Sequence, residues 1–498
     1  MRSLACGLAV AILAGAACGG SGSHPDGGGG ADGGAGRWTG TLELTQTSLD
    51  VLFLIDDSSS MKVMQDKLIA SFPTFMSRLQ DPPGLPDIHI AVVSSDMGAG
   101  DGSIPGCNAT NGKNGVFQYS PHSPCTFTSL DPGATYIANA GGTANYSGNV
   151  GDVFACIAAL GETGCSFEHQ FAAITRALGI DGLGAAPADN QGFLRPDAIL
   201  AVVLLTNEDD CSASLGASTS PNGRIPLFDT SANMSLESQL GPPRDFRCNE
   251  FGHMCSMNGA APMHPDRDAP NGSVSARVTY EQCTSNDAEG YLLGVSDTAN
   301  KLKGLKTNPA QVAVISIQAA SSPYIVTWTP PPIGDFSCGA GSCPWPQIAH
   351  SCSTSDSSFG DPGVRTQQLA AAFGNNGLVL SICDASFSPS MDGAGTLLKS
   401  LIAAPCLPGS IGGTPTLSGP DCKVTEHYVD GNGASVDTDV PSCADNGNAG
   451  PCWKLQRMQA ACAHPALRIT PDPAVPNPGS ETFSYDCARC GPSNSCYD

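Results

Sequence analysis

Three oxygen-bearing side chains stand at alternate positions directly after an apolar run near the start of the chain. In DVLFLIDDSSSM, residues 50–61, Asp56, Ser58 and Ser60 form a DxSxS pattern. Hard cations such as Mg²⁺ prefer oxygen ligands, and hydroxyls add less negative charge to the site than carboxylates do. The same residue types also cap helices, because their side chains accept hydrogen bonds from free backbone N–H groups. The pattern therefore predicts a divalent-cation site, and a capping role can coexist with it.

The segments around this pattern alternate between strand-like and helix-like apolar spacing. Strands are predicted over 50–56, 89–98, 198–210, 311–320 and 378–384, and helices over 62–80, 167–179, 295–305, 365–373 and 388–403. Such alternation indicates an α/β fold with a doubly wound, mainly parallel sheet of the Rossmann-like kind. Ligands of such folds bind beyond the carboxyl ends of the strands, which is where DxSxS stands.

The spacing of cysteine-bearing segments suggests how the chain is divided. We predict an α/β domain over 38–404 with long disulfide-bearing insertions near 99–152, 207–287 and 321–364. Residues 405–498 are rich in cysteine, proline and glycine, which predicts a small Cys-rich, mainly β module. A short helix is predicted within it over 453–462.

The amino-terminal segment MRSLACGLAVAILAGAACGG resembles a bacterial lipoprotein signal peptide, with its apolar stretch followed by small residues and Cys18. This resemblance implies a signal over 1–18, lipidation at Cys18 and a lipid anchor in a membrane. Residues 19–37 are glycine-rich and read as a flexible tether. An ordinary secretory signal is the alternative, and either one predicts export to the cell envelope, at the outer membrane or the cell surface.

The charge of the chain limits which kinds of partner it can bind, and its cysteine content indicates the compartment in which it folds. The chain has 23 lysines and arginines against 46 aspartates and glutamates, a formal net charge of −23, so no nucleic acid partner is expected. The 22 cysteines favour disulfides and an oxidising compartment. Short separations suggest local pairs, Cys107 with Cys125 and Cys156 with Cys165. The CxxC at Cys487 and Cys490 leaves zinc as a minor alternative.

The position of DxSxS, after a core strand and before a helix, resembles the metal-ion-dependent adhesion site of von Willebrand factor type A domains. The order of strands and helices agrees with that family over 38 to about 403. The resemblance implies a bound Mg²⁺, or Mn²⁺ or Ca²⁺, which Ser58 and Ser60 contact directly and Asp56 reaches through water. One coordination position of the ion stays open for a carboxylate of the partner.

The same resemblance implies ligands from two further loops. The loop GETGCSFE, residues 161–168, offers Thr163 or Ser166 for a hydroxyl ligand, and Thr163 is preferred. After the third strand, LLTNEDD places Asn207 where the family usually has aspartate, so Asn207 and Asp209 are both candidate ligands. Glu208 and Asp210 are expected to be solvated, as acidic runs commonly are.

We predict structural rather than ligand roles for two other polar residues near these loops. Asp96, at the end of a predicted strand, is expected to cap a loop rather than to support the ion. His169 has no second histidine at helical spacing and is expected to be a polar surface residue.

Together these features predict a cell-envelope adhesion protein that recognises a protein or surface polymer presenting an acidic residue. The chain has no HExxH, no GxSxG and no P-loop, so it is not expected to be an enzyme. Two alternatives stay open. One is a secreted hydrolase that uses the α/β domain for docking, and the other is a structural envelope protein without a bound ion.

Overall fold

The computed structural model describes most of the α/β region and shorter pieces of the carboxyl-terminal region. The described residues are 36–42, 48–80, 85–100, 107, 111–126, 129–140, 142–213, 227–228, 235–331, 343–402, 407–413, 419–429, 434–445, 452–456, 466–470, 482–491 and 496–497. The predicted signal peptide with Cys18, most of the predicted tether and parts of each predicted insertion lie outside them. In the described ranges, no helix is both long and apolar enough to cross a membrane.

The described elements follow the predicted alternation of strands and helices. The strands are β1 (Arg37–Leu42), β2 (Ser48–Ile55), β3 (Asp87–Ser94), β4 (Ile137–Ala140), β5 (Thr143–Ala144), β6 (Ile199–Leu205), β7 (His253–Ser256), β8 (Arg277–Ser285), β9 (Val312–Gln318), β10 (Tyr324–Thr329), β11 (Trp345–Ile348), β12 (Cys352–Ser353), β13 (Phe359–Gly360), β14 (Gly377–Ser381), β15 (Ile411–Gly412), β16 (Cys422–Val429), β17 (Ser435–Val440), β18 (Cys452–Gln456), β19 (Ala466–Thr470), β20 (Thr482–Ala488) and β21 (Cys496–Tyr497). The α-helices are α1 (Lys62–Gln80), α2 (Val150–Ala158), α3 (Gln170–Ala177), α4 (Phe246–Gly252), α5 (Val295–Lys303), α6 (Val364–Ala371) and α7 (Ser388–Ile402).

A seven-stranded, mainly parallel sheet forms the centre of the α/β region. Its strand order is β14-β9-β6-β2-β3-β4-β5, in which β14 through β3 pair in parallel and β4 and β5 add antiparallel strands at one edge. Every residue of β6 is buried, as its aliphatic sequence predicted for a central strand. The mixed α/β class with a mainly parallel sheet is therefore confirmed.

Helices cover both faces of this sheet because alternate strand residues point in opposite directions. Phe53 of β2 packs in an apolar cluster with residues of α1, α2 and α7. Leu54, its neighbour, packs in a second cluster with residues of α3, α5 and α6. The carboxyl end of β2 is thus held from both sides, which fixes the position of the DxSxS segment.

Two predicted insertions combine to build a smaller antiparallel sheet. Its order is β11-β10-β8-β7, so strands from the insertion near 207–287 pair with strands from the insertion near 321–364. Tyr280, Tyr324 and Trp328 are buried in its own apolar cluster. The insertions therefore carry a packed core of their own.

The carboxyl-terminal region is a Cys-rich β structure, as predicted, and it recruits the first strand of the chain. Its main sheet has the order β1-β20-β16-β17, and β1 pairs antiparallel with β20 from Arg37 opposite Ala488 to Leu42 opposite Phe483. The predicted boundary at 38 grouped this segment with the α/β domain, whereas the structure pairs it with the carboxyl-terminal sheet.

The helix predicted over 453–462 is wrong for the part that the structure describes. Residues 452–456 form β18, which pairs antiparallel with β19. Trp453 is buried and Lys454 is exposed, so this segment has the two-residue period of a strand rather than the period of a helix. Residues 457–462 lie outside the described ranges.

Disulfides tie the insertions to the core and close the carboxyl-terminal region. The bridges are Cys107–Cys165, Cys125–Cys156, Cys211–Cys248, Cys255–Cys283, Cys352–Cys383, Cys422–Cys487, Cys443–Cys452 and Cys490–Cys496. Bridges of this density are typical of exported proteins.

Two predictions about the cysteines are wrong. The expected pairs Cys107–Cys125 and Cys156–Cys165 are exchanged, since the bridges are Cys107–Cys165 and Cys125–Cys156. The turn before Cys125 lies against α2, where the backbone N–H of His122 donates to the carbonyl of Cys156 (2.9 Å). The zinc alternative also fails, since Cys487 and Cys490 belong to two different bridges.

Candidate functional site

The DxSxS segment forms a tight turn between β2 and α1. The backbone N–H of Asp56 donates to the carbonyl of Leu205 (3.0 Å) on the neighbouring strand, and the N–H of Ser58 donates to Asp56 Oδ1 (2.9 Å). Met61 N–H then donates to the Ser58 carbonyl (3.2 Å), directly before α1 begins. Asp56 thus closes the turn itself, while among the described contacts none of the three side chains accepts from an N–H group of α1, so their capping of the helix stays a prediction.

A glutamine of α1 fastens the 161–168 loop to this turn. Gln65 Nε2 donates to the carbonyls of Asp56 and Gly161 (both 2.9 Å), and its Oε1 accepts from the Gly161 N–H (3.0 Å). The N–H of Gly164 also donates to the carbonyl of Asp57 (2.8 Å). Sequence reasoning missed Gln65, since no local pattern distinguishes it from an ordinary helix residue.

The Asp56 carboxylate is fully buried at the centre of the turn. Its Oδ2 accepts from Thr206 Oγ1 (2.9 Å), and its Oδ1 also lies 3.4 Å from Ser95 Oγ. Burial raises the pKa of Asp56 to about 6; the hydrogen bond from the Ser58 N–H acts in the opposite direction, and the charge of Asp57 adds to the rise. A positive charge bound nearby would stabilise the ionised form of such a buried carboxylate.

Two buried oxygen atoms beside Asp56 have no hydrogen-bond partner among the described residues. They are Ser58 Oγ and Asn207 Oδ1. Asn207 Nδ2 donates to Ser60 Oγ (2.8 Å), which orients the amide. Because a buried polar atom without a partner costs about 1–3 kcal/mol, this pair of oxygens is suited to a ligand that accepts lone pairs. The structure thus brings Ser58, Ser60 and Asn207 together around Asp56.

Thr163 and Ser166 lie in the loop next to this turn. Thr163 is exposed, and the described contacts do not join its hydroxyl to the DxSxS side chains. Ser166 is half-buried and lines a cavity that also reaches Glu168 and Glu208. The loop lies against the DxSxS turn through Gly161 and Gly164, while a ligand role for either hydroxyl stays a prediction.

Asp209 has a different set of partners from the one expected of a metal ligand. Its carboxylate accepts from the N–H groups at the start of α6, those of Val364 (2.8 Å), Arg365 (2.8 Å) and Thr366 (3.1 Å), and from His253 Nε2 (2.8 Å). Burial acts to raise the pKa of Asp209, but the hydrogen bond and charge of His253 and the amides of α6 bring it below its ordinary value.

Asp210 is not solvated, so that expectation is wrong. Asp210 and Arg365 are both fully buried and form an ion pair of 3.0 Å. Asp210 Oδ1 also accepts from the N–H of Phe171 (2.9 Å) and from Ser212 Oγ (2.5 Å). Asp210 is buried because α3 and α6 pack against the segment after β6, which the sequence pattern does not disclose.

Two further expectations concern residues close to the turn. Asp96 is a loop cap, as predicted, because its Oδ1 accepts from the Gly98 N–H (2.9 Å). The prediction that His169 lies on the surface is wrong. His169 is fully buried at the start of α3, and its ring lies 5.4 Å from that of Phe228. Burial lowers the pKa of His169 to about 4. Its nonpolar surroundings come from a segment distant in the chain.

The donor set at the turn consists mainly of hydroxyl and amide oxygens. In the described part of the chain, no group of three or more His, Cys, Asp or Glu side chains is arranged to hold a metal ion. The candidate centre therefore contains one carboxylate, from Asp56, with Ser58, Ser60 and Asn207 around it. Thr206, which sequence reasoning passed over, completes the turn by donating to Asp56.

Comparisons with known proteins yield little similarity. No protein-family model and no curated protein matches the chain. Among solved structures, the pilus adhesin SpaC from Lactobacillus rhamnosus GG, in its open conformation, is similar with a TM-score of 0.29 and 11% identity. The match covers 92% of this chain and 42% of the adhesin, so the chain spans less than half of that protein. Similarity at this level assigns neither a fold nor a function.

Proposed function

We propose that the chain is an exported cell-envelope binding protein that recognises its partner through a divalent cation. The partner is a protein or a surface polymer that presents an acidic residue. The observation that carries this proposal is the pair of buried, unpartnered oxygens, Ser58 Oγ and Asn207 Oδ1, beside the buried Asp56 carboxylate. Lipidation at Cys18 would hold the protein at a membrane.

The arrangement of the α/β region supports a von Willebrand factor type A domain. The mainly parallel sheet carries helices on both faces, and DxSxS lies at the carboxyl end of the central strand β2. In a doubly wound sheet this edge is where ligands bind. The loops before α3 and after β6 meet the turn at the same edge, through Gln65 and Thr206 respectively.

The residues at the turn fit a small hard cation such as Mg²⁺. Asp56, Ser58, Ser60 and Asn207 would hold it, with Thr163 a candidate from the neighbouring loop. Asp209 fits less well, because both of its oxygens already accept hydrogen bonds. When bound, the cation supplies an electrophilic centre for an acidic group, and a shell with one carboxylate leaves much of its charge uncompensated. The proposed role is binding and not catalysis.

Calorimetry on residues 37–498 tests the cation site. We would titrate Mg²⁺, then Mn²⁺ and Ca²⁺, into the metal-stripped protein beside Asp56→Ala and Asn207→Asp. Asp66→Ala is the matched control, because Asp66 is exposed on α1 and pairs only with Lys62 among described residues. We expect saturable binding that is lost in Asp56→Ala, kept in Asp66→Ala and roughly tenfold tighter in Asn207→Asp, since an anionic ligand replaces a neutral one.

Two results would count against the proposal. If the unaltered protein binds none of the three ions, the α/β region is a structural unit without an ion site. If Asp56→Ala binds as tightly as Asp66→Ala, the ion is held elsewhere. Once a partner is found, its binding should disappear in chelator and return with added Mg²⁺.

A further inference from the structure

A cavity of about 410 Å³ lies beside the candidate cation site and is rich in carboxylates. Five carboxylates line it, together with two basic side chains and the aromatic rings of Phe246 and Trp345. The carboxylates are those of Glu168, Glu208, Asp209, Asp245 and Asp361, and the basic side chains are those of Arg244 and His350. Glu168 comes from the loop before α3 and Glu208 from the loop after β6, so the two loops that flank the DxSxS turn also form this cavity.

Three of these five carboxylates have a basic side chain close by. Asp209 lies 2.8 Å from His253 Nε2. Asp361 pairs with His350 at 2.5 Å, and the positive charge of Arg244 acts on its neighbour Asp245. Within the described residues, Glu168 and Glu208 have no such partner. Glu168 is only 2% exposed, and its Oε1 has no hydrogen-bond partner among the described residues, although its side chain lies close to that of Glu208. A buried carboxylate is normally paired, and the described residues supply no positive charge for the buried Glu168 or the half-buried Glu208 beside it.

We infer that this cavity binds the cationic head of a lysine or arginine side chain of a partner protein, held between Glu168 and Glu208. An ammonium group has three N–H donors and a guanidinium five, which suits two facing carboxylates. The rings of Phe246 and Trp345 match the methylene stem of such a side chain. A partner protein would therefore present a basic residue close to the acidic residue that the cation site is proposed to take.

The ionisation of the two glutamates agrees with this geometry. Burial, together with the charges of Glu208, Asp56 and Asp245, raises the pKa of Glu168 well above its ordinary value. Burial and the charges of Asp245, Asp361 and Asp56 do the same for Glu208, which lies within hydrogen-bonding reach of Glu168. Both shifts reflect the burial and the negative surroundings of the cavity, to which a bound organic cation would add a positive charge.

The cavity borders the candidate cation site and shares Ser166 and Asp209 with its surroundings, but the proposed binding of an organic cation does not require a bound metal ion. Thr206 Oγ1 donates to Asp56 Oδ2 and lies 2.9 Å from the carbonyl of Glu208, so the Thr206 side chain lies between the candidate cation site and the cavity. The inference can therefore be tested in chelator, where a failure of the proposed Mg²⁺ site has no effect on the result.

The test uses Nα-acetyl-lysine methylamide and Nα-acetyl-arginine methylamide as probes. We would follow NMR shifts of residues 37–498 in chelator at pH 8, beside Glu168→Gln, Glu208→Gln and the control Glu162→Gln, an exposed residue of the same loop. We expect saturable binding that is at least tenfold weaker in either glutamine variant and unchanged in Glu162→Gln. Glutamine removes like-charge repulsion without changing side-chain volume, so both variants should stay folded, and thermal melting checks this.

Each contrary outcome overturns the inference. Absence of saturable binding, or equal binding by folded Glu168→Gln, shows that the glutamates hold no organic cation. Tighter binding of a glucosamine oligomer than of either amino-acid probe assigns the cavity to a polymer instead of a protein. Loss of Mg²⁺ binding in the glutamine variants places the glutamates in the ion's own shell, whereas retained Mg²⁺ binding supports two separate sites.

Discussion

At the scale of single residues, Asp56 combines a binding role with a cost in stability. Its carboxylate is fully buried, and burial raises its pKa from 3.8 to about 6. A raised pKa in the folded state means that stability is highest below the unfolded pKa and falls as the pH rises through about 6. The shift corresponds to about 3 kcal/mol at neutral pH. A bound cation would offset this loss.

Replacing Asp56 by asparagine should separate these two effects. In metal-free protein at pH 7.5, Asp56→Asn is expected to raise the melting temperature, because it removes a buried charge and keeps the side-chain shape. The gain should shrink at pH 5, where Asp56 is largely protonated, and Mg²⁺ should stabilise the unaltered protein but not the variant. Thermal melts at the two pH values, with and without Mg²⁺, measure both the pH dependence of the gain and the stabilisation by Mg²⁺. A variant that melts lower at pH 7.5 than the unaltered protein contradicts this account.

At the scale of elements, the segment after β6 fixes the position of α6. Asp209 accepts from the first N–H groups of that helix, where a negative charge also interacts favourably with the helix dipole. Asp210, the next residue, forms the buried ion pair with Arg365 of α6. Arg365 further contacts Ser285 Oγ (2.5 Å) and lies over the ring of Phe171 (5.2 Å). One short segment thus joins the central sheet, α3 and α6.

Removing the arginine should therefore destabilise the fold strongly. Arg365→Met is expected to lower the free energy of unfolding by about 3–5 kcal/mol, because it leaves Asp210 buried without a compensating charge. Arg277→Met, at an exposed arginine of β8, is the control and should change it by no more than about 0.5 kcal/mol. Urea unfolding gives both values.

A second substitution tests the assigned cause. Asp210→Asn in the Arg365→Met background should recover part of the lost stability, since the unpaired charge is gone. If Arg365→Met costs less than about 1 kcal/mol, or if Asp210→Asn adds further loss, the ion pair is not what holds α6 in place.

At the scale of the whole molecule, the described bridges and cores divide into two groups. The bridges from Cys107–Cys165 to Cys352–Cys383 lie within residues 48–402, and the remaining described bridges lie within 422–496. Both apolar clusters of the central sheet lie within 48–402, whereas the carboxyl-terminal cluster contains Leu407, Val424 and Phe483, with Trp38 of β1 packed against it. The first strand thus belongs with the carboxyl-terminal sheet.

A fragment of residues 48–402 should fold and bind Mg²⁺ as the longer protein does. We expect an affinity within about twofold of that of residues 37–498, because the candidate ligands and the cores that position them lie inside the fragment. Calorimetry compares the two proteins, and circular dichroism confirms that the fragment is folded. A folded fragment with tenfold weaker binding would show that the carboxyl-terminal region contributes to the ion site.

Several features could be predicted because they depend on neighbours in the sequence. The strand and helix periods of the α/β region follow from the side-chain directions of each element, so apolar spacing was enough to predict them. DxSxS could be placed at the end of β2 for the same reason. Asp96 could be predicted as a cap because an aspartate that follows a strand bonds the backbone two residues further on.

Other features are decided by contacts between distant segments. The exchange of the Cys107 and Cys156 pairings, the joining of β1 to β20 and the burial of Asp210 and His169 all arise from segments that meet only in the folded chain. The facing pair Glu168 and Glu208 belongs to the same class, because forty residues separate two side chains that line one cavity. Sequence alone determined the periodic elements and the oxygen-rich turn, whereas the partners of each buried charge were set by tertiary packing, since burial and pairing depend on every segment that surrounds a side chain.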